Sequence, residues 1–512
     1  MRRLLSLLLL LDLLAIFGFV RPLRFSSHFP GETLALFDII HHDYGATWRY
    51  TALVAALVAL FLAAHTLAGE MQGRRLTYVV FGGAALLSLT YLLLYPATSS
   101  DLFHYVMEGR ILWVHHQNPF TVPPSFYPHD PFYAVNGWFI VVWETLPSPY
   151  GPAWAVLTGL PLLLGHGDLL WTFMAFKLLA VVFYFVGAVA IFHTVRFLRP
   201  GKEWAATLLF TWNPLVLLYV AGNGANDVIM MGLTLLALYF GVRRRWNAAF
   251  PVLALATLVK FVSAVLIPVF VLYAVLTTPR EQWRGLAGAL GLSALIGLLL
   301  YAPFWRGQLT FTTLRYQASQ FTDSPGALLK TALANVLALE DAIIVTKVIC
   351  FSALAAAYAL VLWRMVRQRL QLAPDDLPSA CFVVMCAYLM LAVFWFQPWY
   401  LLWLISLGAL TVGVRQRVTL LFSFTGLLTH TATAVAAIEG WYYFSPEIPG
   451  HPLLEIGGVL LLVFLAPGLY IGGALLARTR QGRALIARLP RLGAGPRTPA
   501  VGTPGGAPAS GD

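Results

Sequence analysis

Residues 77–105 read TYVVFGGAALLSLTYLLLYPATSSDLFHY: an apolar run to Tyr95, a short turn at Pro96-Ala97-Thr98, then Ser99-Ser100-Asp101-Leu102-Phe103-His104-Tyr105. The apolar run has the length a helix needs to cross a bilayer, about 20 residues. The chain has 22 acidic residues among 512. A carboxylate placed where a membrane helix gives way to a polar, aromatic segment is costly to desolvate, so Asp101 is the first functional candidate.

The rest of the chain repeats the first half of this pattern. Hydrophobic residues make up 59% and charged residues 11%, with a mean hydropathy of +0.76. These values fit an all-α polytopic integral membrane protein and exclude a soluble globular one. Apolar segments fall at about 4–20, 50–69, 77–95, 168–195, 204–222, 226–242, 247–260, 261–276, 286–304, 343–363, 378–396, 399–413, 418–437 and 453–477, which predicts about fourteen transmembrane helices. The two segments around Lys260 are short and read as two half-helices or one kinked span. The N-terminal Leu-rich run lacks a small-residue cleavage motif and reads as a retained first span.

The net charge of +11 does not mark a nucleic-acid partner. Basic residues cluster in connectors: Arg74-Arg75, Arg196 to Lys202, Arg243-Arg244-Arg245, Arg280 to Arg284, Arg364 to Arg369, Arg415 and Arg417, and the tail from Arg478 to Arg497. This is the alternation that sets topology, with basic connectors and both termini on the cytoplasmic side of the cell membrane. The long connectors 96–150 and 305–341 then face outward, with most acids, including Asp38, Asp43, Asp101, Glu108, Asp130, Asp227, Asp323 and Glu447. Chemistry is expected on that outer face. Three divisions follow: two N-terminal helices over 1–76, a transmembrane core over 77–477 with its outer loop 96–150, and a basic, partly disordered tail over 478–512. Cys350, Cys381 and Cys386 lie in apolar runs without metal or disulfide spacing.

The outer loop has its own order. Asp101 to His115 has helical periodicity, with Leu102, Tyr105, Val106, Gly109 and Leu112 on one side. Prolines then cut the chain into turns, Trp138 to Leu146 reads as an interfacial amphipathic helix, and Ala153 to Leu164 is apolar but too short to span.

Four constellations could carry chemistry. Asp101, His104, Tyr105 and Glu108 share a helix face at i, i+3, i+4 and i+7, where Asp101 could take the proton of an attacking hydroxyl; equally, Ser100 or Asp101 could simply cap the helix. The turn Gly222-Asn223-Gly224-Ala225-Asn226-Asp227 offers amides and a carboxylate suited to sugar hydroxyls, or is a polar helix–helix turn capped by Asn226. Lys260, Arg315 and Arg110 are isolated cations on a side poor in positive charge. A phosphate is one natural partner, and snorkelling or, for Lys260, pairing with Asp227 is another. Trp395-Phe396-Gln397-Pro398-Trp399-Tyr400 is a stacking wall or a set of interfacial anchors. His41, His42 and Asp43, like His115, His116 and His129, lack the spacing of a metal site, so no cofactor is expected and a divalent metal is not indicated. No nucleotide-binding loop is visible.

The motif from Ser99 to Tyr105, with Gly109-Arg110 and Asn118-Pro119-Phe120 following, resembles the start of the first large outer loop of GT-C glycosyltransferases. The nearest likeness is to polyprenol-phosphate-mannose-dependent mannosyltransferases of the lipomannan and phosphatidylinositol mannoside type. Tyr150-Gly151-Pro152, Trp212-Asn213-Pro214-Leu215, Gly222 to Asp227, Lys260 and Pro398-Trp399-Tyr400 follow in the same order. The chain departs where Asn223 to Asn226 stand in place of Gly-His before the aspartate. The resemblance covers roughly residues 77 to 415 and makes the first two spans look like an addition. It implies a GT-C-like bundle that transfers a hexose, mannose by this likeness, from a polyprenyl-phosphate sugar to a glycolipid or glycan acceptor with inversion. Asp101 would be the base. Arg315, Lys260 and Arg110 would hold the donor phosphate. His104, Tyr105, Glu108, Asn223, Asn226, Asp227, Trp399 and Tyr400 would contact sugar or acceptor. A transporter or flippase of a lipid-linked saccharide would also use a charged, broken helix, but needs no ordered aromatic outer loop, and no inverted repeat is evident. A non-catalytic assembly protein is the third reading.

Overall fold

A computed structural model describes residues 1–29, 36–135, 144–441 and 451–477. Most of the amphipathic helix expected over Trp138–Leu146 lies outside these residues, as do Glu447 and the tail 478–512. Met1–Pro467 forms one compact unit. Gly468–Asp512 forms a second, of which residues 468–477 are described and are mostly helical.

The described residues hold helices and no strand; the β-type pairings among them are the isolated bridges Arg24–Leu94 and Thr322–Trp395. Each of the fourteen expected apolar segments is largely helical, with non-helical stretches at 93–95, 302–304, 392–396 and 409–413. Among the described residues eight helices are long and apolar enough to cross a membrane: Arg2–Val20, Tyr44–Gly69, Arg74–Leu92, Leu169–Leu198, Arg280–Tyr301, Leu339–Arg367, Val414–Ile438 and Pro452–Leu476. The segment expected at 204–222 is a broken pair, Glu203–Thr211 and Pro214–Gly222, bent by 48°. The bend has a local cause. Pro214 cannot continue the preceding helix, and the Asn213 side chain caps the new one by accepting from Leu215 N at 3.1 Å.

The remaining apolar helices are short: Asp227–Val242, Trp246–Val259, Phe261–Thr277, Asp376–Leu391 and Pro398–Gly408, together with Pro152–Gly165. Their ends mark polar residues. Asp227 opens one helix, and Lys260 ends another in extended backbone (φ −151°, ψ 127°) before a 3-10 turn over Phe261–Leu266. The two segments around Lys260 are therefore separate helices. The ends of two of these helices meet, with Lys260 Nζ 2.8 Å from an Asp227 carboxylate oxygen.

The approach to Asp101 is tied down from three sides. Phe25 N donates to Leu93 O (2.8 Å), Tyr95 N to Leu23 O (2.7 Å) and Leu36 N to Ala97 O (2.7 Å), so the N-terminal segment braces the turn. Lys177, fully buried in the helix Leu169–Leu198, donates its ammonium to the carbonyls of Leu92 and Leu94, both at 2.6 Å. Those carbonyls lie at a helix C-terminus, where a cation is favoured. Asn223 donates from its side chain to the Thr98 hydroxyl, linking the glycine turn to the same segment.

Candidate active site

The Asp101 helix runs Asp101–Trp113, with Asp101 as its first residue. Ser100 makes no side-chain cap bond. The Asp101 carboxylate instead accepts from the Tyr105 hydroxyl at 3.2 Å, and that hydroxyl accepts from Asn226 N at 3.4 Å. The i, i+4 spacing thus joins the Asp101 helix to the turn before Asp227. Burial raises the Asp101 pKa above its ordinary value. Lys260 pulls it down, Asp227 pushes it up again, and His104 and the Tyr105 hydroxyl oppose the rise. The net direction is upward, which makes this carboxylate a better proton acceptor than an ordinary aspartate.

Asp227 is fully buried and already occupied. It accepts from Lys260 Nζ at 2.9 and 2.8 Å and from Trp403 Nε1 at 2.6 Å. Pairing with Asp227 is therefore the partner Lys260 has. An ammonium has three donors, and two of these face Asp227. The Lys260 side chain remains 13% exposed and sits among rings: Tyr400 at 5.2 Å, Tyr150 at 5.4 Å and Trp403 at 6.0 Å from Nζ to the centroids. Tyr150 is held there by Gly151, whose N–H donates to Val259 O at 3.0 Å. A Cβ on Gly151 would strike the Leu258 carbonyl, so only glycine allows this approach.

Two cavities meet at Lys260. One, of about 270 Å³, is the more polar of the two and is lined by Thr98, Ser99, Ser100, Asp101, Trp395, Gln397, Trp399 and Tyr400 among others. The other, of about 470 Å³, is mostly apolar, lined by Phe261, Val262, Leu314, Ala318, Phe351 and Phe394 among others. Tyr150, Lys260, Gln317, Trp395 and Tyr400 line both. The charged residues on the apolar cavity are Lys260, Arg315 and Lys347, all cations. The arrangement suits a ligand with an apolar body and an anionic group at the junction, next to a polar chamber that ends at a carboxylate.

The predicted site residues separate into three groups. Asp101, Lys260, Arg315, Trp399 and Tyr400 line the cavities. Arg315 also donates to the Gln308 carbonyl. Tyr105, Asn223, Asn226 and Asp227 stand immediately behind the wall. Asn226 starts the Asp227 helix without a side-chain cap bond, and its fully buried amide has no hydrogen-bond partner among the described residues. His104 and Glu108 form a buried pair at 2.9 Å, with Trp154 Nε1 donating to Glu108 at 3.1 Å. Arg110 has turned elsewhere: its Nε donates to both Asp130 oxygens at 2.9 Å, His115 meets the same carboxylate at 2.8 Å, and the guanidinium lies 4.2 Å from the Phe132 centroid. That ion pair spends its charge on the loop's own structure, away from the cavities. Lys347, Gln317 and Tyr150 escaped the sequence reading as site candidates. Lys347 looks like a snorkelling residue at the start of an apolar run, and only its place on the groove distinguishes it. Among the described residues no group of three or more His, Cys, Asp or Glu side chains comes together as a metal site would require.

Residues 17–276 match the family described as alpha-(1->6)-mannopyranosyltransferase, N-terminal domain. The chain belongs to that family. The matched residues carry Asp101, Tyr105, Tyr150, Asn226, Asp227 and Lys260, and they include the second span and the core as far as residue 276. The GT-C mannosyltransferase resemblance read from the motifs agrees with this membership. The chain is also 25% identical over 261 residues to alpha-(1->6)-mannopyranosyltransferase A of Mycobacterium tuberculosis, a match over 49% of this chain and 47% of that one. The chain thus spans about half the length of the curated relative it matches.

Proposed function

We propose that this protein is a membrane mannosyltransferase that moves mannose from a polyprenyl-phosphate donor to a hydroxyl of a glycolipid or glycan acceptor. One observation carries the reading: an apolar groove with three cations and a polar chamber ending at Asp101 join at Lys260. A polyprenyl phosphate has an apolar chain and an anionic head in that order. Its chain lies in the groove, its phosphate meets Lys260, Arg315 and Lys347, and its sugar projects toward Asp101.

The acceptor oxygen attacks the anomeric carbon from the face opposite the phosphate. The new C–O bond forms as the bond to the phosphate oxygen breaks. The hydroxyl proton passes to Asp101, and the polyprenyl phosphate leaves with the electron pair, its growing charge stabilised by the cations. One inversion results. Tyr105 orients Asp101, and the Asn226 amide behind it is available to a sugar hydroxyl through a small local movement. The distribution of basic connectors supports a site on the outer face of the cell membrane, with both termini inside.

The test is transfer by purified protein in lipid, with radiolabelled polyprenyl-phosphate mannose and a panel of glycolipid acceptors, comparing the native chain with Asp101→Asn. A folded Asp101→Asn protein is expected to lose transfer by about 10²–10⁴-fold, the usual range for a general base. Equal transfer by both removes Asp101 as base. Transfer from a sugar nucleotide but not from the lipid donor removes the donor class.

A further inference from the structure

The helix Leu169–Leu198 carries a second groove on its other half. It has a volume of about 450 Å³, is walled by Val182, Val186, Val189 and Leu236, and ends at His193 and Tyr239. It is remote from the catalytic cleft. Phe173, near the start of the helix, packs on Phe103 at 5.0 Å. At 1.5 Å per residue His193 lies about 30 Å further along, which is the thickness of the hydrocarbon core. From Val182 to His193 the groove runs about 16 Å, close to the depth of one leaflet. Val182 and Val189 are 50% and 46% exposed, so the slot opens sideways, where lipid would lie.

Cations gather at its His193 end. The Arg243 guanidinium lies over the rings of Tyr239 (4.7 Å) and Phe197 (4.9 Å). His193 packs edge-on to Tyr239 at 6.2 Å and is within electrostatic reach of both Arg196 and Arg243. Among the described residues Arg243 makes no ion pair, and its buried Nε has no hydrogen-bond partner. Arg244 and Arg245 follow, both exposed. A slot one leaflet deep, apolar along its length and cationic at headgroup level, is complementary to a lipid whose phosphate carries a net negative charge.

We propose that this groove is a binding site for one anionic glycerophospholipid of the leaflet opposite the catalytic cleft. One acyl chain lies along Val182–Val189, and the phosphate bridges Arg243 and Arg196. The site is independent of the donor groove and of the chemistry assigned there. Its occupant braces the Leu169–Leu198 helix, which also carries Lys177 under the Asp101 turn.

The test is native mass spectrometry of the full chain released from bilayers of phosphatidylcholine and phosphatidylglycerol in equal parts. One phosphatidylglycerol is expected to stay with each protein, and no phosphatidylcholine. Arg243→Gln with Arg196→Gln should lower that retention about tenfold or more, since each arginine contributes about 1 kcal/mol. Val189→Trp fills the slot from its exposed side and leaves the arginines in place, and it should lower retention similarly. Thermal unfolding in phosphatidylcholine alone reports that the variants are folded. Equal retention of both lipids, retention unchanged in the arginine variant, or loss with the arginines but not with Val189→Trp would each overturn the proposal.

Discussion

Replacing Lys260 with Met separates its ion pair with Asp227 from the phosphate contact proposed for it. The ammonium donates to both oxygens of a carboxylate with no exposed surface. Removing it leaves Asp227 buried with Trp403 Nε1 as its remaining hydrogen-bond donor. Breaking a buried pair from one side costs about 3–5 kcal/mol, and the surviving indole bond puts the expected loss near the lower end. Asp227→Asn in the same chain removes the stranded charge and keeps an acceptor for Trp403. The double variant is therefore expected to regain most of the loss, with a coupling of about 2–3 kcal/mol, the upper end for neighbours. Transfer should not return, because the groove has still lost the cation nearest the junction. The assay pairs unfolding in detergent with transfer from polyprenyl-phosphate mannose. A Lys260→Met protein as stable as the double variant would refute the ion-pair reasoning. A double variant with native transfer would refute the phosphate role.

Three further outcomes follow from the same geometry. If Asp101 has the role proposed for it, the acid limb of kcat/KM should lie above the ordinary aspartate value of about 3.9, because burial raises Asp101 and a general base works only when deprotonated. Activity is then lost as pH falls through that raised value, and Lys260→Met should move the limb of any residual activity upward, since Lys260 is what holds it down. Gly151→Ala should destabilise the protein by about 1–3 kcal/mol and lower transfer, because a Cβ there meets the Leu258 carbonyl and displaces Tyr150 from Lys260; unfolding and transfer assays on the variant check both. Arg315→Gln and Lys347→Gln should each raise KM for the lipid donor by about tenfold to a hundredfold, the equivalent of one charge-assisted hydrogen bond of about 1.5–3 kcal/mol, with unfolding unchanged because both lie at the groove surface.

The helical membrane architecture was legible because each apolar run is long and each break carries a polar or basic marker. Helix ends were less legible. Asp227 and Lys260 fall at boundaries the hydropathy marks, but hydropathy does not tell a break from a kink at Lys260, nor that the two helix ends meet across the bundle. Asp101 and Tyr105 could be paired from spacing, since both stand on one helix face. Arg110 could not be placed, because its partner Asp130 is held by turns beyond the reach of any periodicity. Lys347 and Lys177 were invisible for a related reason: one lysine in an apolar run reads the same whether it snorkels, lines a groove or grips carbonyls. Distances across the bundle decide which.

The clasp made by Lys177 has a consequence for how the chain is made. A lysine at the centre of a membrane helix costs about 2.5–3.5 kcal/mol to insert on its own, and Lys177, about two turns from the start of its helix, carries a part of that cost. Here the cost is offset only when the ammonium finds the carbonyls of Leu92 and Leu94, which belong to a span synthesised earlier. The helix Leu169–Leu198 is thus a poor independent passenger through the insertion machinery and a good one beside Arg74–Leu92. An apolar residue at position 177 would ease its passage and take that donor from the two backbone carbonyls. The order of biogenesis, early span waiting for late span, is written into one buried amine.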